Sequence, residues 1–181
     1  MKITVFLGSS CGNDPVYEQA AESLGKWIGA SGHTLVYGGA SVGLMGKLAD
    51  AVLSQHGKVI GIMPEFMVDG HKNHESLTEF HVTKDMAERK KILLEEGDAC
   101  VAMPGGPGTL EEISDAISSV RLGLIHEPCL LYNLNHYYDP LKKLLENMID
   151  NGFVQKEELA DVFFPENLQE IEQILNDRQD L

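Results

Sequence analysis

The segment ACVAMPGGPGTLEE, residues 99–112, decides how the rest of the chain is read. It opens on five apolar residues, a run of strand length. Three glycines follow within four positions, Gly105, Gly106 and Gly108, and Thr109 then starts a helical pattern that carries Glu111 and Glu112. Glycines at that density cost backbone entropy on folding, so they mark a place where something must approach the main chain closely. A strand, a glycine turn and a helix in direct succession form one half of a parallel β–α unit.

Outward from this segment the same succession recurs. Lys2–Leu7, Thr34–Tyr37, Lys58–Met63, Phe80–Thr83, Ala99–Met103 and Pro128–Asn133 read as strands. Pro15–Ala30, Gly43–Gln55, Asp85–Glu95, Thr109–Leu124, Asp139–Asp150 and Asn167–Asp177 carry helical spacing. Several strands are nearly continuous in apolar residues, which fits a sheet covered on both faces. The expectation is an α/β, Rossmann-like, doubly wound fold, with a mostly parallel sheet and one domain over residues 1–181. The loop EFMVDGHKNH, Glu65–His74, is polar and basic at its end, and is expected to border a pocket.

In such sheets ligands bind beyond the carboxyl ends of the strands. Three glycine-rich turns fall there: GSSCG at 8–12, YGGASVGLMG at 37–46 and PGGPGT at 104–109. Each leads into a helix whose first turn exposes unpaired N–H groups and a partial positive charge. Converging on one edge, they make an anion-binding floor without any lysine. One such turn would mean only that a strand ends. Three point to a ligand site, and they bring in Gly8, Ser9, Gly38, Gly39, Gly43 and Gly46 as candidate contacts.

Charge narrows the ligand. With 14 Lys and Arg against 28 Asp and Glu, the net charge is −14, which repels nucleic-acid backbones and anionic membranes but not a small phosphate ester met by local donors. Cys11, Cys100 and Cys129 form no CxxC pair, and the last two sit in apolar runs as small core residues. The chain opens on the strand-like MKITVFLG, and no run is long enough to span a membrane, so a soluble cytoplasmic protein is expected. No GxxxxGK[ST] occurs, and GSSCGNDP lacks the GxGxxG spacing, so ATP-hydrolysing and NAD-dependent chemistry find no support. His33, His56, His126 and His136 are scattered without metal-ligand spacing, and His71 and His74 lie three apart in the polar loop. No metal and no cofactor is expected.

In this order, GSSCG, YGGASVGLMG, DMAERK at 85–90 and PGGPGTLEE at 104–112 resemble the Lonely Guy family of nucleotide hydrolases. Its members release cytokinin bases from their riboside 5′-monophosphates and often carry the label possible lysine decarboxylase. The similarity runs from Ile3 through GFVQKE to FFPENLQEI, and RK followed by PGGxGTxxE is its specific part. The resemblance implies a homodimer with the site near the subunit interface. It makes Arg89 and Lys90 the RK pair, places Gly105, Gly106, Gly108, Thr109 and Glu111 on the sugar phosphate, closes the motif with Glu112 and sets Ser118 beside the ligand. The chain departs from the pattern at Ala40, Pro107, His71 and Ser119; His71 replaces a common glutamate and Ser119 a common tryptophan.

Hydrolysing an N-glycosidic bond requires stabilising an oxocarbenium-like ribose, delivering water to the anomeric carbon and helping the base depart. Adjacent helical residues point about 100° apart, so Glu111 and Glu112 cannot share one task. Glu112 is the catalytic candidate and Glu111 the holder of a ribose hydroxyl, with the reverse still open. Arg89 either clamps the phosphate or orients Glu112, and Lys90 adds a second charge. Met45 and Met86 pack near the site or in the core. A simpler account makes AERKKILLEE a solvated face with a Lys91–Glu95 pair, and the glutamates mere compensation of a helix dipole. The rival function is a carrier or sensor that binds a nucleotide without cleaving it. Decarboxylation would need an electron sink on a buried lysine, and only Lys90 and Lys91 stand near the expected site.

Overall fold

A computed structural model describes residues 1–68 and 73–179. Its strands are β1 (Lys2–Phe6), β2 (Thr34–Tyr37), β3 (Lys58–Pro64), β4 (Glu79–Thr83), β5 (Ala99–Ala102), β6 (Cys129–Leu131) and β7 (Val162–Phe163). The helices are α1 (Pro15–Ala30), α2 (Gly43–Ser54), α3 (Glu65–Val68), α4 (Met86–Glu96), α5 (Pro107–Arg121), α6 (Asp139–Asp150) and α7 (Leu168–Gln179). All seven strands pair in parallel, in the order β4-β3-β2-β1-β5-β6-β7. This is the doubly wound α/β architecture. From β1 the chain builds outward to β4, then returns to the other side of β1 to lay down β5, so the topological switch lies between β1 and β5.

Alternation of side chains sorts the strands onto two cores. Ile3 and Val5 of β1 and Val101 of β5 meet Leu24 and Ile28 of α1, Leu48 and Val52 of α2, and Ile171 and Leu175 of α7. Phe6, Cys100 and Ala102 face the other way, onto Leu93 of α4 and Ile113, Ala116 and Ile117 of α5. Burial on both sides is why the strands read as continuous apolar runs. Thr4 is the buried exception on β1, and its hydroxyl donates to Leu93 O at 2.8 Å.

The elements differ from expectation mainly at their ends. α5 starts at Pro107 rather than Thr109, since proline's missing N–H is harmless in the first helical turn. β7 has two residues, too few for any periodicity, and was not expected. Glu65–Val68, inside the expected loop, is a helical turn.

The glycine turns pack against one another. Gly43 has φ +59°, and a Cβ there would stand 2.3 Å from the Ser9 carbonyl. Gly43→Ala therefore meets both left-handed strain and a backbone clash, and should cost at least about 2 kcal/mol, or roughly 4–8 °C in Tm. Gly32 has φ +71° but open space around it, so Gly32→Ala measures the strain alone. Thermal melts in which the two variants lose equally would refute the close approach.

Candidate active site

At the switch between β1 and β5 opens a cleft of about 280 Å³, near the lower end of small-ligand pockets. The end of β1 (Val5, Phe6), Leu7, Gly8 and Ser9 form its floor, and Gly106, Pro107, Gly108 and Thr109 form one wall. Gly38, Met45, Met67, Met86, Arg89, Glu111 and Glu112 complete it.

Helix capping already distinguishes the elements around it. Asp14 caps α1 by accepting from Val16 N, and Asp85 caps α4 by accepting from Glu88 N. α2 and α5 begin at Val42 and Gly106 without a side-chain cap. Two of the three helices that follow glycine-rich turns thus leave their first N–H groups without a side-chain cap. For α5 these include the N–H groups of Gly108 and Thr109, which line the cleft.

The glycines divide into two kinds. A Cβ at Gly106 or Gly108 would meet nothing within 4 Å, so their bare backbone faces open space. At Gly105 it would stand 2.2 Å from Thr109 Oγ1 and 3.0 Å from Gly8 N, and at Gly46 2.2 Å from Ser41 O. At Gly38 it would stand 2.5 Å from Arg89 Nη2. Gly46 lets backbone pack on backbone, Gly105 makes room for the Thr109 side chain and the Gly8 main chain, and Gly38 makes room for a guanidinium.

That guanidinium is the centre of the site. Arg89 is 8% exposed, and its Nε donates to Ile62 O at 3.1 Å while Nη1 donates to Glu112 Oε1 at 2.6 Å. Glu112 is 9% exposed. Burial pushes its pKa above the usual carboxylate value, and the Arg89 charge and hydrogen bond only partly oppose this. A carboxylate shifted by burial beside a specific charge partner in a cleft is a candidate for acid–base work.

The neighbouring carboxylate has another environment. The Glu111 side chain is 58% exposed and accepts from Lys90 Nζ at 3.0 Å, with Asp115 3.4 Å from the same ammonium. The hydrogen bond to Glu111 raises the Lys90 pKa. One step along α5 thus separates a buried carboxylate from a rim carboxylate.

Of the residues singled out from sequence, Gly8, Ser9, Gly38, Met45, Met86, Arg89, Gly106, Gly108, Thr109, Glu111 and Glu112 meet in the cleft. Gly39, Gly43, Gly46, Lys90 and Gly105 stand behind or beside its lining, and Ser118 is exposed further along α5. His71 lies outside the described residues. Lys91 pairs with Glu95 at 3.6 Å, the surface contact its spacing implied. Met67 lies in the Glu65–His74 loop that was expected to border a pocket and does line the cleft, but it was not singled out, because a single methionine in a polar loop carries no periodic signal. Tyr137 and Tyr138 were missed too; their hydroxyls reach Gly105 O and Met103 O across the fold. Among the described residues no group of three or more His, Cys, Asp or Glu side chains could hold a metal ion.

Residues 45–175 match the family described as possible lysine decarboxylase. The chain is 46% identical over 153 residues to a cytokinin riboside 5′-monophosphate phosphoribohydrolase of Rhodococcoides fascians, which covers 84% of this chain and 77% of that one. A probable cytokinin riboside 5′-monophosphate phosphoribohydrolase of Oryza sativa subsp. japonica is 40% identical over 154 residues, 85% of this chain and 69% of the rice protein. Among solved structures, the molybdenum cofactor binding protein of the phototrophic bacterium Rippkaea orientalis superposes with a TM-score of 0.73 at 24% identity, over 97% of this chain and 95% of that one. At that identity the likeness speaks for the fold alone.

Proposed function

The chain belongs to the Lonely Guy family, described also as possible lysine decarboxylase, and from that footing we propose that it is a nucleoside 5′-monophosphate phosphoribohydrolase. In this reading water cleaves the N-glycosidic bond of adenosine monophosphate, or of an N6-modified derivative, to free base and ribose 5-phosphate. The observation that carries it is the buried Arg89–Glu112 pair beside the uncapped start of α5. The N–H groups at that start bind the phosphate. Glu112 stabilises positive charge on the ribose and takes a proton from the attacking water as the C1′–N bond breaks and its electrons leave with the base. The departing nitrogen takes up a proton and Glu112 gives its own up, which restores the carboxylate. Arg89 orients Glu112 and favours its ionised form, and Glu111 at the rim holds a ribose hydroxyl.

The same geometry argues against decarboxylation despite the family's description. A Schiff-base lysine must lose its proton, which burial favours. Lys90 is instead held protonated by Glu111, and the Lys91 side chain is 71% exposed.

The reading includes a cytoplasmic homodimer. Exposed Leu110, Leu122, Leu124 and Leu144, on or next to α5 and α6, provide apolar surface for a second copy. No helix among the described residues is long and apolar enough to cross a membrane.

Purified protein incubated with AMP and with N6-isopentenyl-AMP tests the proposal, with free base and ribose 5-phosphate followed by chromatography. Release of base from either supports it, and the ratio of rates reports the preferred base. Binding of a nucleotide without cleavage would overturn it in favour of a carrier or sensor.

A further inference from the structure

Just past β6, Asn135 and His136 both stand in left-handed backbone, at φ 49° and 60°. Asparagine and histidine are both among the side chains that enter that conformation most readily, and two in succession make a sharp bend. What this bend delivers is a pair of tyrosines. The Tyr138 hydroxyl donates to Met103 O at 2.7 Å and the Tyr137 hydroxyl to Gly105 O at 2.5 Å, so the two grip carbonyls on either side of Pro104. Asn133 anchors the bend: its Oδ1 accepts from Tyr138 N and its Nδ2 donates to Asp139, both at 2.7 Å.

The two rings are not equivalent. Tyr138 is buried and belongs to the core. Tyr137 is 42% exposed, and packs edge-on against Tyr17 at 6.3 Å and Tyr138 at 5.1 Å. Its hydroxyl contributes little to the core and acts on one peptide. In a planar trans peptide the Gly105 carbonyl and the Gly106 N–H point in opposite directions. Holding the carbonyl toward Tyr137 therefore turns the Gly106 N–H away from it. A Cβ at Gly106 or Gly108 would find no atom within 4 Å, so neither residue is packed on that open side.

We propose that Tyr137 is a positioning residue. Its hydroxyl sets the plane of the Gly105–Gly106 peptide and so aims the N–H groups at the start of α5 toward the phosphate of the substrate. The inference rests on reading the cleft as a phosphoribosyl site.

Tyr137→Phe keeps both ring contacts and removes one hydroxyl. Calorimetry with AMP, ribose 5-phosphate and adenosine, beside steady-state kinetics on AMP, compares variant and wild type. The Kd for AMP and for ribose 5-phosphate, and the KM for AMP, are expected to rise about 5- to 10-fold. The kcat should change less than about threefold and adenosine binding should not change. Equal binding of ribose 5-phosphate by both proteins overturns the proposal. So does an equal loss for adenosine, which would mark a role in the fold only. A wild type that binds AMP without cleaving it sinks the hydrolase reading alone, and the ribose 5-phosphate ratio still decides for or against Tyr137. A wild type that binds neither phosphate ligand overturns both.

Discussion

Glu112→Gln is expected to lower kcat by about 10³-fold while the protein stays folded and binds AMP within about tenfold of the wild-type affinity. The amide keeps the shape of the carboxylate and can still accept from Arg89 Nη1, so the cleft keeps its form. What it loses is the negative charge that would meet the ribose cation and the base that would take the proton of water. Glu111→Gln, at the exposed rim, should act mainly on KM. A Glu112→Gln enzyme within tenfold of wild type would remove this residue from the chemistry. The pH profile supplies an independent check. The working form is the carboxylate, and burial raises its pKa. Activity should therefore fall as pH drops through that raised value, placing the acid limb of kcat/KM above the ordinary 4.5 of a glutamate.

Arg89→Ala is expected to damage both stability and rate. It strips the counter-charge from a buried carboxylate, which costs about 3–5 kcal/mol when one partner of such a pair is removed, or roughly 6–20 °C in Tm. Because the Arg89 charge and hydrogen bond are what oppose the effect of burial on Glu112, their removal should also move the acid limb of the profile further up. A fall of about 10²- to 10³-fold in kcat/KM should accompany the shift. Arg89→Lys restores the charge but not the planar fork that serves Ile62 O and Glu112 together, so it should recover stability more than activity. An acid limb that stays in place in Arg89→Ala would sever the proposed link between the two residues.

Some elements announce themselves locally. Asp14 and Pro15 mark the start of α1, and Pro15–Ala30 is the helix observed; Thr34–Tyr37 and Asp139–Asp150 also match residue for residue. Each carries its signal within its own length, through a cap, a proline or an apolar period. β7 carries none, because two residues on a sheet edge have no period to read. The glycine turns were legible as a group, since glycine density is local. Their separate tasks were not: whether Gly106 faces space and Gly105 faces Gly8 depends on a second loop nearly a hundred positions away.

The amino-acid sequence by itself determined the alternation of strands and helices, the parallel two-faced sheet, and the motif residues gathered at one edge. Periodicity and turn chemistry are properties of short windows, and the chain satisfies them wherever it folds. Only the tertiary structure decided how those residues divide the work. Sheet order brings α4 and α5 together, so Arg89 meets Glu112 across 23 positions, and depth separates Glu112 from Glu111, its neighbour in the chain. The space Gly38 leaves for the guanidinium and the grip of Tyr137 on Gly105 follow from the same cause. Burial and long-range pairing are set by what the whole fold places above a residue, and no window of sequence contains that.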